Sequence, residues 1–484
     1  MAVKKVAGEG LTLKHKIGYA AGDAGGVMTL ILVSSYMTRY VTNVMSISFA
    51  TLSVLLLIWN IWDMVNDPLM GTMMDKLFAK SSGNKDKFRP WLLYSIAPIV
   101  LGMIAFFSVP SLLNGYAAVA ALFIFKIVYE LGYTMMNIGM GSLLGTMAKN
   151  DPERAQLSSA RGMGSTVGGM ISMVLVPQLL GRLGENSQGY FWSAVICAGL
   201  GGFSIFIHYL WTEERNAASK VVDPNDESQK VKFTDIIDVF KKNRAFLALS
   251  MHSIIIVFGT TIYGQFNAYM YADVLGNIGL MSYTSIISMS LTMVILSIAP
   301  IIVKKMGSTV RVIRTSLAIG LTMMLGLFIV MLGSNVPAAL FLVVSGVGYA
   351  LINLSVQMQW GLVGEAIDYN EYLTGKRTEG AIYGTFSLTR RVGQTISQSL
   401  AVLMIGWIGY NPELTNAGIM QAGGTILGIK VMTLVVPAVA AVGSWLCFKF
   451  IWNLDGSTGK ELSVWRNNKS APLVEAEVGA VEAV

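Results

Sequence analysis

Twelve stretches of mostly apolar residues, each long enough to cross a lipid bilayer, constrain this fold more than any other feature. A membrane-spanning helix needs about 20 predominantly apolar residues, because the hydrocarbon core is roughly 30 Å thick. Only 13% of the residues are charged, whereas soluble domains contain about 25%. The sequence therefore predicts an all-α membrane protein with twelve transmembrane helices. The predicted spans are residues 17–41, 46–73, 90–110, 114–147, 158–181, 190–211, 245–272, 281–303, 311–333, 336–362, 380–409 and 425–452.

Basic residues are concentrated in alternate loops between these spans. The N-terminal segment and the loops after the even-numbered spans are rich in lysine and arginine, whereas the opposite loops contain only Arg39 and Arg182. By the positive-inside rule, this pattern predicts that both termini and the basic loops are cytoplasmic. We therefore expect a multi-pass protein of the cell inner (plasma) membrane. An apolar core is missing from the first residues, so no cleavable signal peptide is predicted.

A polar central segment divides the spans into two groups of six. The predicted organisation is an N-terminal six-helix bundle at 1–211, a cytoplasmic linker with a short amphipathic helix at 212–244, a C-terminal six-helix bundle at 245–453 and a disordered cytoplasmic tail at 454–484. Two groups of six joined by such a linker are typical of the major-facilitator fold. Transporters of that fold bind substrate between the halves, near the membrane midplane.

Two aspartates, Asp63 and Asp67, lie one helical turn apart within the second predicted span. A helix rises 1.5 Å per residue, so Asp67 lies roughly 12 Å and Asp63 roughly 18 Å before the charged end at residues 75–76. Both are therefore expected near mid-depth, where carboxylates are costly and usually functional. Close carboxylates on one helix face resist joint ionisation unless a cation lies between them. We predict that Asp63 and Asp67 bind Na⁺ or H⁺, with Asn66 beside them.

Two other interpretations of this pair stay open: the helix could end early, or two neutral acids could serve as structural hydrogen-bond donors. The fourth span carries Thr134 and Asn137 on one face, which could supply neutral oxygens or ordinary interhelical hydrogen bonds. Lys126 and Glu130 lie one turn apart in the same span. The spacing predicts either a structural ion pair or a coupling pair at the cation or substrate site.

Further candidates for substrate contact are spread over several spans. Asp23 could bind substrate or make a packing hydrogen bond. Arg390 and Arg391 lie at mid-depth in the eleventh span and point about 100° apart, so only one of them is expected to face the cavity. A buried arginine can receive a carboxylate, or it can hold the aspartates when the cation is absent. Aromatic side chains that could stack on a sugar ring or serve only in packing are Tyr19, Trp62, Tyr133, Tyr263, Trp360 and Tyr383.

Several motifs along the chain carry a family resemblance. They are "KIGYAAGDAGG", "IWDMVNDPLMG" followed by "GNKDKFRPW", "YTMMNIGMGSL", "DPERAQLSSAR", and "WGLVGEAIDYNEYLTGKRTEGAIYG" leading into "LTRRVGQ". Together they resemble the glycoside–pentoside–hexuronide:cation symporters, the melibiose-carrier family of the major facilitator superfamily. The resemblance runs from the first span to the eleventh, and residues 365–393 are most similar to the glucuronide carriers of that family.

The resemblance implies roles for individual residues. It implies that Asp63, Asp67 and Thr134 bind the coupling cation, that Arg391 is the basic residue of the eleventh helix, and that Arg161 lies near the sugar. Two acids that bind galactosides in the family are replaced here, by Asn137 and Val27. Galactoside specificity is therefore not expected, and the retained arginines favour an anionic sugar.

The predicted function is import of a sugar or glycoside with Na⁺ or H⁺ by alternating access, with a hexuronide or glucuronide as the preferred substrate. The alternatives are a neutral pentoside or hexoside, a sulfonated sugar, a non-transporting sugar sensor and an exporter of drugs or metabolites. An enzyme is not expected, because the spans contain no nucleophile–base set or metal cluster. The expected partners are the sugar, the coupling cation and the lipid bilayer, with no nucleic acid and no cofactor, and we expect a monomer.

Overall fold

Long apolar runs separated by short polar turns form α-helices throughout the computed structural model. The structure describes residues 10–79, 86, 88–148, 151–215, 239–333, 336–375 and 379–465, and within these ranges there is no β-strand. The long helices are α1 (Leu13–Arg39), α2 (Phe49–Ala79), α3 (Arg89–Phe106), α4 (Gly115–Met147), α5 (Asp151–Leu183), α6 (Ser187–Trp211), α7 (Arg244–Tyr269), α8 (Met281–Met306), α9 (Thr309–Gly333), α10 (Ala338–Thr374) and α11 (Glu379–Trp407). The short helix α12 (Pro412–Asn416) precedes α13 (Gly423–Lys430) and α14 (Val436–Leu446), which together form the twelfth predicted span.

Local sequence signals explain where individual helices begin and end. Thr12 caps α1, since its hydroxyl accepts from the His15 backbone N–H while the Thr12 backbone N–H donates to the His15 ring. Such a capping box satisfies two donors that a helix start leaves unpaired. Gly375 ends α10 with φ +67°, a left-handed conformation that glycine adopts without steric cost.

In the part of the chain that the structure describes, ten helical segments are long and apolar enough to cross a membrane, judged by length and composition. The two predicted spans outside this group are α2, in which the described apolar run is Phe49–Asp63 because the next side chains lie outside the described residues, and α11. These are the helices in which the sequence places Asp63, Asp67, Arg390 and Arg391.

Four helices in the described part of the chain are followed by a five-residue π-helical segment. Tyr40–Val44 follows α1, and Met270–Val274 follows α7. Two more π segments, Val431–Val435 and Cys447–Ile451, follow α13 and α14. A π segment changes the direction of the side chains at the end of a helix, and such segments are frequent at functional sites.

The chain forms two compact units. The first contains the described residues of Met1–Pro224, Gly264–Met289 and Ser399–Ile429. Within it α1 packs on α5 and α6, and α4 packs on α2 and α3. Helices α1 and α5 approach closely, and a Cβ added at Gly168 would lie 2.1 Å from the carbonyl oxygen of Ala24. Small residues at such a contact let helix backbones approach closely.

The second unit contains the described residues of Asn225–Tyr263, Ser290–Gln398 and Lys430–Val484, and in it α9 packs on α10 and α14. The predicted six-plus-six division stays a prediction, because the first unit also includes segments from the second half of the sequence. The predicted amphipathic helix of the linker lies mostly outside the described residues, although 239–242 are helical. Residues 457–465 of the tail are also helical, and the rest of the tail lies outside the described residues.

Candidate cation and substrate sites

Polar side chains on α2 and α4 lie next to each other inside the first unit. The Asn66 amide on α2 donates to the Thr134 hydroxyl on α4 over 3.0 Å, and both residues are buried. One to two turns before Asn66, Trp59 lies beside Lys126, whose Nζ atom is 5.7 Å from the centre of its ring. Two members of the predicted cation site are thus in direct contact.

Lys126 and Glu130 form the ion pair that their spacing predicts. Both residues are buried, with exposed fractions of 6% and 8%. The Lys126 ammonium also lies 5.8 Å from the ring centre of Tyr129, and its other aromatic neighbour, Trp59, lies one turn before Asp63 on α2. The pair therefore belongs to the same polar surface as the predicted cation ligands, which we call the α2–α4 face: Asp63, Asn66, Lys126, Glu130 and Thr134.

The donors on this face fit a hard monovalent cation. Among the described residues no group of three or more His, Cys, Asp or Glu side chains could hold a metal ion. A carboxylate at Asp63 together with the amide and hydroxyl groups of Asn66 and Thr134 is an all-oxygen set of the kind that such ions prefer. The backbone of Asp67 continues α2, but its side chain lies outside the described residues, so its part in binding stays a prediction.

A second polar cluster joins α1, α4 and α5 within the same unit. The Arg161 Nε atom lies 3.4 Å from the Asp23 carboxylate, and its Nη2 donates to the Asn137 side-chain oxygen over 3.1 Å. Tyr133 lies on α4 one turn before Asn137 and stacks on Tyr129 with ring centres 6.1 Å apart. Three predicted substrate residues are therefore in contact, and α4 carries both this cluster and part of the α2–α4 face.

The remaining predicted substrate residues lie in or at the edge of the second unit. The Arg390 guanidinium lies 5.7 Å from the ring centre of Trp360, whereas Arg391 is exposed. The adjacent arginines thus have different surroundings, as their 100° separation on a helix requires. Tyr263 is buried and stacks on Tyr349 with ring centres 3.9 Å apart. Their roles in substrate binding stay predictions.

An ionic cluster that sequence reasoning missed surrounds Arg39 in the first unit. Arg39 is 1% exposed, forms an ion pair with Glu185, and contacts Asp273 with 2.6 Å between Nη1 and Oδ2. Its guanidinium also lies 4.9 Å from the ring centre of Tyr269. The pattern of loop charges assigns Arg39 to an outer loop, although the predicted span 17–41 includes it. A charge inside a predicted span is the signal that could have identified it.

Tyr410 connects the remaining members of this cluster. Its hydroxyl accepts a hydrogen bond from Asn43 over 2.9 Å and lies 3.3 Å from both carboxylate oxygens of Asp273. Thr415 donates to Asp273 over 2.7 Å. Burial raises the pKa of Tyr410, so its hydroxyl stays protonated and able to donate. A cavity of about 790 Å³ borders this Arg39 cluster, and Arg39, Asn43, Glu185 and Thr415 contribute to its wall.

Comparison with known proteins identifies a family model, described as MFS/sugar transport protein, that matches residues 18–455. An uncharacterized symporter, YjmB, from Bacillus subtilis (strain 168) is 29% identical over 451 residues, covering 92% of this chain and 93% of the relative. A protein of Escherichia coli (strain K12) named provisionally as a sulfoquinovose importer is 26% identical, covering 92% of this chain and 91% of that protein. The glucuronide carrier protein homolog of the same organism is 24% identical, with coverages of 91% and 92%.

The fold is similar to that of solved transporters. The crystal structure of the nucleoside transporter NupG superposes with a TM-score of 0.59, covering 90% of this chain and 99% of that one. The sequence identity is 11%, so this similarity concerns the fold alone. Together with the family match, it confirms the predicted all-α transporter architecture.

Proposed function

This chain belongs to the MFS/sugar transport protein family, and on that premise we propose that it imports an anionic sugar, a hexuronide or glucuronide, together with Na⁺ or H⁺. Membership makes the chain a multi-pass membrane transporter rather than an enzyme. The proposal places the protein in the inner membrane as a monomer, with both termini in the cytoplasm.

The observation that carries the proposal is that α4 presents two sets of polar groups within one unit. Thr134 lies on the α2–α4 face, and Asn137, one turn further along, contacts Arg161. In the proposed cycle, Asp63, Asp67, Asn66 and Thr134 hold the cation, while Asp23, Arg161 and Asn137 hold the sugar. Because one helix carries ligands for both, occupation of one site changes the position of groups in the other.

An anionic substrate is supported by Arg161. Its side chain is 37% exposed, so it can reach a ligand, and its contact with Asp23 is 3.4 Å rather than a short bond. A planar guanidinium binds a carboxylate or sulfonate in two places. Relatives named for a glucuronide and for sulfoquinovose are consistent with an acidic sugar. A sulfonated sugar is therefore the second candidate substrate, and a neutral glycoside is the third.

Uptake by the purified chain in proteoliposomes tests the proposal. We expect accumulation of methyl β-glucuronide, and not of the matched neutral methyl β-glucoside, under either an inward Na⁺ gradient or an inward proton gradient. Asp63→Asn is expected to abolish cation-driven accumulation and to retain counterflow exchange, whereas Glu413→Gln at an exposed position is expected to behave as wild type.

Each rival has its own result in this experiment. Full cation-driven accumulation by Asp63→Asn would show that the cation site is not on α2. Uptake only of a 6-sulfonated sugar or only of the neutral glycoside would replace the hexuronide. Ligand binding without uptake would indicate a sensor, and accumulation only in inside-out vesicles would indicate an exporter.

A further inference from the structure

Lys126 and Glu130 are charged residues on the α2–α4 face that the proposed cation site does not use. They lie on the same side of α4 as Thr134, at intervals of four residues. Their partners on α2 follow in the same order: Trp59 is beside Lys126, and Asn66 is bonded to Thr134. Asp63 lies between these two levels of α2, where Glu130 lies on α4.

The Lys126 ammonium therefore lies at the level of two carboxylates. It forms an ion pair with Glu130, and Asp63 lies at the same level of α2, between Trp59 and Asn66. A buried ammonium is stable only when it is paired, so its position depends on both acids. A metal cation that binds Asp63 has to compete with a positive charge that the protein already contains.

We propose that Lys126 is an internal competitor of the coupling cation at Asp63, and that Glu130 sets the affinity for Na⁺ by holding the ammonium away from that carboxylate. This inference rests on the proposed function and specifies its cation. Neutral oxygens at Asn66 and Thr134 are useful to a metal ion, whereas a proton needs only the carboxylate.

Removal of the negative charge at Glu130 and removal of the positive charge at Lys126 are expected to change the affinity for Na⁺ in opposite directions. In Glu130→Gln the ammonium loses its partner and turns fully to Asp63, so Na⁺ is expected to bind more weakly, by about tenfold. In Lys126→Met the competitor is gone and Glu130 attracts the cation as well, so Na⁺ is expected to bind more tightly by a similar factor. The double variant has a neutral pair and is expected to return close to wild type.

The measurement is the rise in the melting temperature of the purified full chain with increasing NaCl, against choline chloride at constant ionic strength. The Na⁺ concentration at half of the maximal rise is compared between variants. Loss of a purely structural ion pair would lower the melting temperature but would leave this Na⁺ concentration unchanged. Glu130→Asp retains the negative charge and serves if Glu130→Gln does not fold. It is expected to weaken Na⁺ binding in the same direction but by less.

A matched control breaks a different, partly buried ion pair of the same unit. Glu153→Gln removes the carboxylate that accepts from Arg215 over 3.4 Å and is expected to lower the melting temperature without changing the Na⁺ concentration at half-effect. If the single variants at 126 and 130 shift this concentration in the same direction, or not at all, the inference is wrong.

Two further outcomes separate this inference from the proposed function. If Asp63→Asn loses the Na⁺ effect while the variants at 126 and 130 do not move in opposite directions, only the inference is overturned. If Na⁺ has no effect on the wild-type chain, the inference is also overturned, but a proton remains available to the proposed symport. If Asp63→Asn retains the full Na⁺ effect, both the inference and the proposed function are wrong.

Discussion

Arg39 is a buried charge whose stability depends on residues far away in the sequence. Its guanidinium pairs with Glu185 and Asp273, which are separated from it by 146 and 234 positions. Removing one partner of a buried ion pair leaves the other charge uncompensated in a medium of low polarity. Two carboxylates depend on this one arginine, so the loss of Arg39 is expected to cost more than the loss of either acid.

We predict that Arg39→Gln lowers the free energy of unfolding by about 3 kcal/mol or more, because both acids then lack a cation. Arg39→Lys retains the charge but loses the two-pronged contact with Glu185, so an intermediate loss is expected. Melting temperatures of the purified chain measure both changes. Arg182→Gln is the control, since Arg182 is exposed on the last turn of α5. Equal effects at positions 39 and 182 would contradict this account.

Tyr410→Phe tests the hydroxyl at the centre of the same cluster. The change removes the acceptor of the Asn43 amide, and we expect a loss of about 1–2 kcal/mol because that buried donor has to find another partner. The ring contacts with Tyr269 and Phe49 are retained in this variant. Thermal unfolding alongside Arg39→Gln provides the comparison. A variant as stable as wild type would show that the hydroxyl is not needed.

At the level of elements, the contact between α1 and α5 depends on residues without bulk. A Cβ at Gly164 would lie 2.0 Å from the carbonyl oxygen of Ala20, and one at Gly168 would lie 2.1 Å from that of Ala24. Both neighbours are backbone atoms, which cannot turn aside as a flexible side chain can. The same two helices carry Asp23 and Arg161, so their separation also sets the geometry of the proposed substrate site.

Gly168→Ala is therefore expected to force α1 and α5 apart. We predict a loss of about 1–3 kcal/mol in stability, as for other overpacked contacts, and weaker binding of the sugar. Gly162→Ala is the matched control on the same helix, because a Cβ there meets no atom within 4 Å. Melting temperature and ligand affinity are measured for both variants. Unchanged binding in Gly168→Ala would show that the site does not depend on this contact.

The sequence predicts contacts within one helix better than contacts between distant segments. The Lys126–Glu130 pair was predictable because a separation of four residues fixes their positions on a helix. Asn66 and Thr134 were predicted to belong to the same site, but their contact was not predicted, because hydropathy does not give the register between helices. The partners of Arg39 could not be predicted, because no local rule relates it to Asp273. The number of apolar spans and the spans that contain charges can be predicted from composition. Which charges pair with each other depends on how the helices pack.

At the scale of the whole molecule, the alternation of basic loops predicts which segments face the cytoplasm. We expect a cysteine at Lys305 to react with a membrane-impermeant maleimide only after permeabilisation, and one at Glu413 to react in intact cells. Both positions are exposed. The native cysteines, Cys197 and Cys447, are buried and give a low background. The reverse pattern of labelling would invert the proposed topology.

The π segments after α1 and α7 give these two helices matching ends. Arg39 and Tyr269 are the last residues of these two helices, and Asn43 and Asp273 are the fourth residues of the segments that follow. Matching positions of the two helix ends therefore meet: the guanidinium lies over the ring, and both Asn43 and Asp273 contact Tyr410. The two helix ends therefore cannot vary independently, because a change of charge on one of them leaves an unpaired charge on the other.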